Sequence, residues 1–195
     1  MKGKKQERII RVLLNQPDGS LTAYRLAKEA DCTHVWVLKV LAKLRERNLV
    51  KATTVIDIPG LFTYWDDIST PPTYLEYNLQ NPLSILKKTN LPYAMTTYYA
   101  DSFTQHYLFP SRLDFYINQK DRTAWHSLLS NNGLVGKGNT RVLVDDDHVV
   151  YRSFKKEGYT LVSIPQLILD LGREHGPATE AAHLLMSKEY HAALL

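Results

Sequence analysis

The stretch Leu41-Ala42-Lys43-Leu44-Arg45-Glu46-Arg47-Asn48-Leu49-Val50 decides the reading of this chain. Leu41 and Leu44 followed by charged residues read as the end of a helix, and Asn48 stands where a left-handed C-terminal residue is wanted. Leu49 to Ile56 then reads as a strand. Working backwards, Val37 and Leu41 share one helical face with Leu44. Thr33 supplies a cap for that helix, and Asp31-Cys32-Thr33 forms a turn from a shorter helix that starts near Thr22 and turns Leu26, Ala27 and Ala30 inward. Further back, Pro17-Asp18-Gly19-Ser20 closes a first helix over Gln6 to Asn15, whose apolar residues are Ile9, Ile10, Val12, Leu13 and Leu14. Working forwards, Pro59-Gly60 reads as a turn and Leu61-Phe62-Thr63-Tyr64-Trp65 as a return strand. The hairpin tip, Asp57 to Phe62, is then apolar and holds no Arg or Lys.

Three helices followed by a hairpin resemble a winged helix-turn-helix, and Leu41 to Val50 resembles the end of its recognition helix. With Val37, Leu41 and Leu44 inward, Thr33, His34, Trp36, Lys39 and Lys43 are left towards the outside. In that architecture the start of the third helix enters the major groove. Thr33 and the helix N-terminus suit a phosphate, while Lys39 and Lys43 suit phosphates or guanine edges. An exposed Trp36 fits either DNA contact or docking of a protein. His34 has no second ligand at helical spacing, so no metal site is read here. Charge agrees with a nucleic-acid partner: up to Ile56 there are twelve Lys/Arg against five Asp/Glu, a net of +7, whereas the remainder carries twelve against fifteen, a net of −3.

Ser69-Thr70-Pro71-Pro72-Thr73 is a linker, so residues 1–68 read as a winged helix-turn-helix domain and 74–195 as a mixed α+β domain. The fold class is α+β. In the second domain Asn81-Pro82 opens a short helix, Thr97 to Leu108 is a helix, Leu113 to Ile117 a strand, and Asp121 caps a helix ending near Asn132-Gly133. Arg141 to Val144 and Val149 to Phe154 read as a hairpin across Asp145-Asp146-Asp147-His148. Ser163-Ile164-Pro165-Gln166 has capping-box form and opens a helix with Leu167, Ile168 and Leu171 on one side. Gly176-Pro177 separates it from a last helix with Ala181, Leu184 and Leu185 inward.

Tyr93-Ala94-Met95-Thr96, then a helix, then Arg112-Leu113-Asp114-Phe115-Tyr116-Ile117, is similar to the centre of the AbiEi-type antitoxin domain of type IV toxin–antitoxin systems. Leu161 to Leu171 resembles that family's signature of Val-Ser, Pro-Gln and Asp-Leu opening a late helix, and Glu180-Ala181-Ala182 with Leu184-Leu185 resembles its closing helix. The resemblance implies a regulator that represses its own operon through the winged helix. It also implies neutralisation of a partner toxin of nucleotidyltransferase type. Thr97 and Tyr98 depart from it, standing where relatives often carry Gly and a small residue.

Other chemistry has weaker footing. A nucleotidyltransferase core needs a Gly-Ser phosphate turn and two carboxylates two residues apart on a strand, to hold metal ions. No Gly-Ser precedes Asp114, and Tyr116 takes the second place, so Asp114 reads as a strand residue bonded to backbone or to Arg112. Asp145 to His148 reads as turn chemistry. Gly133 to Gly138 lacks phosphate-loop spacing and reads as a loop. The rings of Tyr93, Tyr98, Tyr99, Phe103 and Tyr107 could line an effector pocket, which keeps an effector-responsive repressor as one alternative and a nucleotidyltransferase-like enzyme as another. The expectation is a non-enzymatic regulator with no cofactor and no metal, with double-stranded DNA as partner and no membrane. With a single cysteine, Cys32, and no apolar run of bilayer length, it reads as cytoplasmic.

Overall fold

The computed structural model describes residues 2–191, and among them the chain is a mixed α+β protein with nine α-helices and a mixed seven-stranded sheet. It divides into two compact units. One takes the residues up to Thr70 together with those from Met186 onward, and the other takes Pro71–Leu185.

The first unit contains α1 (Lys2–Asn15), α2 (Ala23–Glu29), α3 (His34–Glu46), β1 (Val50–Lys51), β2 (Thr54–Val55) and α4 (Ile58–Ile68). Its core is built from Ile9, Ile10 and Leu13 of α1, Leu26 of α2, Val37, Leu41 and Leu44 of α3, and Ile58, Leu61 and Trp65 of α4, all buried. Each such side chain stabilises by roughly 1.5–3 kcal/mol on leaving water. Thr22 caps α2 by accepting from the Arg25 amide, and Thr33 caps α3 by accepting from that of Trp36. Asn48 adopts the left-handed conformation (φ 56°) that ends α3, where the Leu49 amide donates to the Leu44 carbonyl.

The hairpin is shorter than the sequence suggests. Each strand has two residues, with Val50 opposite Val55 and Lys51 opposite Thr54, and the chain reverses at Ala52 (φ 55°) and Thr53. Thr53 Oγ1 donates to the Leu21 carbonyl at 2.6 Å, and Asp18 forms a single antiparallel bridge to Thr54. Gly19 (φ +79°) is needed there, because a Cβ would stand 2.1 Å from Thr54 Oγ1.

The expected return strand over Leu61 to Trp65 is instead part of α4. Asp57 caps it by accepting from the Gly60 amide at 2.8 Å, and Pro59 lies in its first turn. Ile58, Leu61, Phe62 and Trp65 recur at helical spacing and are buried, so the segment read as an apolar hairpin tip is a helix start seated in the core. Tyr190 completes this core: its ring meets Phe62 edge-on at 6.0 Å and its hydroxyl donates to the Leu14 carbonyl at 2.8 Å.

The second unit contains β3 (Thr73–Leu79), α5 (Pro82–Lys88), β4 (Ala94–Thr96), α6 (Thr97–Thr104), β5 (Leu113–Asn118), α7 (Arg122–Ser130), β6 (Gly133–Val135), β7 (Thr140–Asp145), β8 (Phe154–Lys156), β9 (Tyr159–Leu161), α8 (Ile164–Arg173) and the start of α9 (Pro177–Glu189). The strands lie in the order β6-β3-β7-β5-β4-β9-β8. β5 runs parallel to β7 and β4 parallel to β9, and the other pairs are antiparallel. Leu113 to Ile117 is buried along its whole length, as a central strand covered on both faces should be.

Three expectations are corrected here. The hairpin across Asp145 to His148 does not form: β7 is followed by a 3-10 turn (Asp147–Val150), and β8 pairs with β9. Asp146 caps that turn by accepting from the His148 amide. Gly133 to Val135 is the edge strand β6 and no loop. Leu184 faces out, although Ala181 and Leu185 are buried.

Tyr190→Ala removes a buried ring from the first unit and should lower its stability by about 3–5 kcal/mol. Urea unfolding followed by Trp fluorescence measures this, and an unchanged midpoint would show that the ring contributes no packing.

Candidate nucleic-acid interface

The turn between α2 and α3 is made by short-range bonds that the sequence supplies. Asp31 takes a left-handed conformation (φ 49°), and the Cys32 amide donates to the Ala27 carbonyl at 2.9 Å. Arg8 of α1 reaches the Asp31 carboxylate at 2.7 Å, tying the turn to the first helix. Cys32 is half-buried, with its sulfur 3.2 Å from the Ala30 carbonyl oxygen and 3.6 Å from that of Lys5. The result is a short helix, a tight turn and a longer helix with one open side.

Of the residues assigned to DNA, Thr33, His34, Lys39 and Lys43 are exposed, but they do not share one centre. Thr33 accepts the Trp36 amide, which leaves its O–H to donate outward. His34 begins the helix with its ring 6.5 Å from that of Tyr24 on α2. Lys43 lies over the Tyr64 ring of α4, its Nζ 5.5 Å from the centroid, and the Arg47 guanidinium approaches the same ring at 4.9 Å. Trp36 is half-buried, not exposed as its position suggests, and its indole nitrogen is buried without a hydrogen-bond partner.

At 100° per residue, the direction opposite the buried row Val37, Val40, Leu41 and Leu44 falls near Val35, Leu38, Lys39 and Ala42. His34 and Trp36 stand roughly a quarter turn away on either side of it. The open face is therefore shared by aliphatic side chains and Lys39. Val35 is 63% exposed and Leu38 47%, and Tyr24 of α2, whose ring stands near that of His34, is 73% exposed. Arg45 and Lys39 flank that strip, and Arg25 and Lys28 are exposed on α2. The sequence reading missed Val35 and Leu38 by favouring polar residue types. The wheel alone contained the signal.

Comparison with protein-family models, with characterised proteins and with solved structures yields no match.

In the second unit one cluster of titratable residues is tied together around a buried carboxylate. Asp114 is wholly buried, and both of its oxygens are taken. Arg112 donates to them at 2.7 and 2.8 Å, Arg141 at 3.2 Å to each, and Thr97 Oγ1 at 2.5 Å. Both arginines also bond Glu174 at the end of α8. The Tyr98 ring lies 5.2 Å from the Arg112 guanidinium, and Tyr74 lies at the same distance from that of Arg141. Burial raises the Glu174 carboxyl, but the bonds from Arg141 and Arg112 outweigh it and hold the group below its ordinary value.

Tyr116, in the place of a second carboxylate, donates to Asp170 at 3.0 Å. Asp170 also accepts from Thr96 and Gln166 at 2.6 and 2.9 Å. Gln166 thus serves Asp170, and Ser163 makes no side-chain cap bond to α8. Among the described residues, no group of three or more His, Cys, Asp or Glu could hold a metal ion. Of the five rings considered for an effector, Tyr93 lines a cavity of about 500 Å³ between the end of α5 and the β8–β9 hairpin. Tyr99 and Phe103 pack together, and Phe103 stacks on Tyr159 at 5.3 Å.

Burial pushes the Asp170 carboxyl up from its ordinary value near 3.8, against the hydrogen bonds from Thr96, Gln166 and Tyr116. With the folded value raised, the folded state binds more protons between the two values, so the contribution of Asp170 is full below the unfolded value and is lost as pH rises through the folded one. The difference in urea midpoint between the parent and Asp170→Asn should therefore fall as pH is raised above about 4. A difference that stays constant with pH would remove the burial argument.

Proposed function

We propose that this protein is a DNA-binding transcriptional regulator that represses its own operon, with a winged helix-turn-helix in its first unit. The observation that carries the reading is the open side of α2 and α3, a helix–turn–helix face edged by Arg25, Lys28, Lys39, Lys43, Arg45 and Arg47 in a stretch of net charge +7. A second helix with one exposed side suits the major groove, and the basic edges suit the phosphates on either side. The wing in this reading is only the hairpin at Ala52-Thr53, with exposed Lys51 beside it, so base reading falls to α3.

For the second unit we propose an antitoxin role without catalysis, directed at a nucleotidyltransferase-type toxin. Its support is the Leu161-to-Leu171 signature, which forms the end of β9 and most of α8. The engagement of Asp114 by two arginines and Thr97 supports the non-catalytic part, since a metal-dependent transferase must offer its carboxylates to the ion.

Binding of the full chain to duplex DNA should weaken linearly on a log–log plot against salt, with a slope near −0.9 for each neutralised phosphate. Lys39→Ala should make that slope shallower by about one unit. A salt-independent gel shift would count against the regulator reading.

Breaking the buried ion cluster with Asp114→Asn should cost about 3–5 kcal/mol, because two half-buried arginines lose their shared carboxylate. Growth rescue against a co-expressed toxin from the same operon should then track the folded fraction measured by near-ultraviolet circular dichroism. A fully folded variant that has lost rescue would place chemistry at Asp114.

A further inference from the structure

The open face of α3 has an unusual centre for a helix that meets DNA. Val35, Leu38 and Ala42 follow one another at three and four residues, so they form a row along the helix axis. None of them can donate or accept a side-chain hydrogen bond. Val35 and Leu38 nevertheless stand 63% and 47% exposed. Lys39 and Arg45 flank the row on either side, His34 and Lys43 stand farther round, and Glu46 lies beyond its C-terminal end.

An apolar strip on such a face needs an apolar partner. Two aliphatic side chains fall well short of the roughly 800 Å² per partner that a stable protein interface covers. In the major groove the apolar group presented by the bases is the C5-methyl of thymine. Val35 and Leu38 are about 4.5 Å apart along the helix axis, against about 3.4 Å between successive bases. The pair can therefore reach methyl groups on neighbouring base pairs.

We infer that Val35 and Leu38 are the specificity-determining residues of the DNA face and read thymine methyl groups on adjacent base pairs. This rests on the DNA-binding reading above and adds to it a base identity. The lysines and arginines at the margins hold the phosphates, and sequence is read by packing against methyl groups.

Uracil tests this directly, since it pairs as thymine does and lacks only the methyl. A duplex selected from a random pool by the full chain is synthesised with thymine or with uracil, and affinities are compared by fluorescence anisotropy at one salt concentration. Each lost methyl contact should weaken binding about fourfold, so two contacts give about sixteenfold. Val35→Ala with Leu38→Ala should bind the thymine duplex as weakly as the parent binds uracil, and should no longer distinguish the two. Both side chains are exposed, so the fold should tolerate the change. Equal affinity of the parent for both duplexes, with salt-dependent binding intact, overturns this inference and leaves the regulator reading standing. Absence of salt-dependent binding to any duplex overturns the regulator reading itself. Conversion of a self-associated parent to monomer by the double variant, with no thymine preference, assigns the strip to a second copy and overturns the inference.

Discussion

A carboxylate with none of its surface in water is expensive to keep charged, and the second unit is organised around one. Asp114 sits in the central strand β5, directly across from Arg141 in the parallel register with β7. Desolvation of such a group is offset only when its lone pairs are filled by donors of good geometry. Arg112, Arg141 and Thr97 supply them from β5's own approach, from β7 and from the start of α6. Glu174 then balances the second positive charge from α8. Four elements are held by one charge-neutral group of four ionised side chains.

Thr97 shows how far the backbone yields to that group. It is a β-branched residue at φ 51°, a conformation such residues rarely adopt. Its hydroxyl reaches Asp114 from there. A Gly at this position would relax the backbone and lose the bond, so Thr97 exchanges conformational ease for one donor. The first unit uses aromatic rings for a similar purpose. Tyr64 accepts a bond from Gln6 of α1 and lies beneath Lys43 and Arg47, so one ring of α4 joins the first helix to the basic end of the third.

Local chemistry was legible from the sequence, and remote chemistry was not. Thr22, Thr33 and Asn81 cap helices as their positions suggest, and Asn48 is left-handed where α3 stops, whereas Asp121 and Ser163 precede their helices without a side-chain cap bond. Asp114 bonds Arg112, two residues away, as its spacing allowed. The tie from Asp114 to Arg141 and Glu174 has no local signature, because it depends on strand register and on where α8 ends. The same is true of Asp170 and Thr96, which are 74 residues apart in the chain. α4 was misread for a different reason. Its aromatic and apolar residues suggested a strand, while the spacing of Ile58, Leu61, Phe62 and Trp65 carried the helical period. At the candidate interface Thr33, His34, Lys39 and Lys43 are exposed as read, Trp36 is half-buried, and the exposed Val35 and Leu38 were passed over in favour of polar residue types.

Tyr190 sets an order on the making of this protein. Its hydroxyl meets the Leu14 carbonyl across 176 residues of chain, so the unit translated first lacks part of its core until nearly all of the described chain has been made. At about 5–20 residues per second, the interval between the two partners leaving the ribosome is roughly 10 to 35 s. Throughout it, Phe62 has no ring against its edge and the Leu14 carbonyl lacks its side-chain donor. The helices that bear the basic face are thus synthesised early, and their core closes only once Tyr190 has been made.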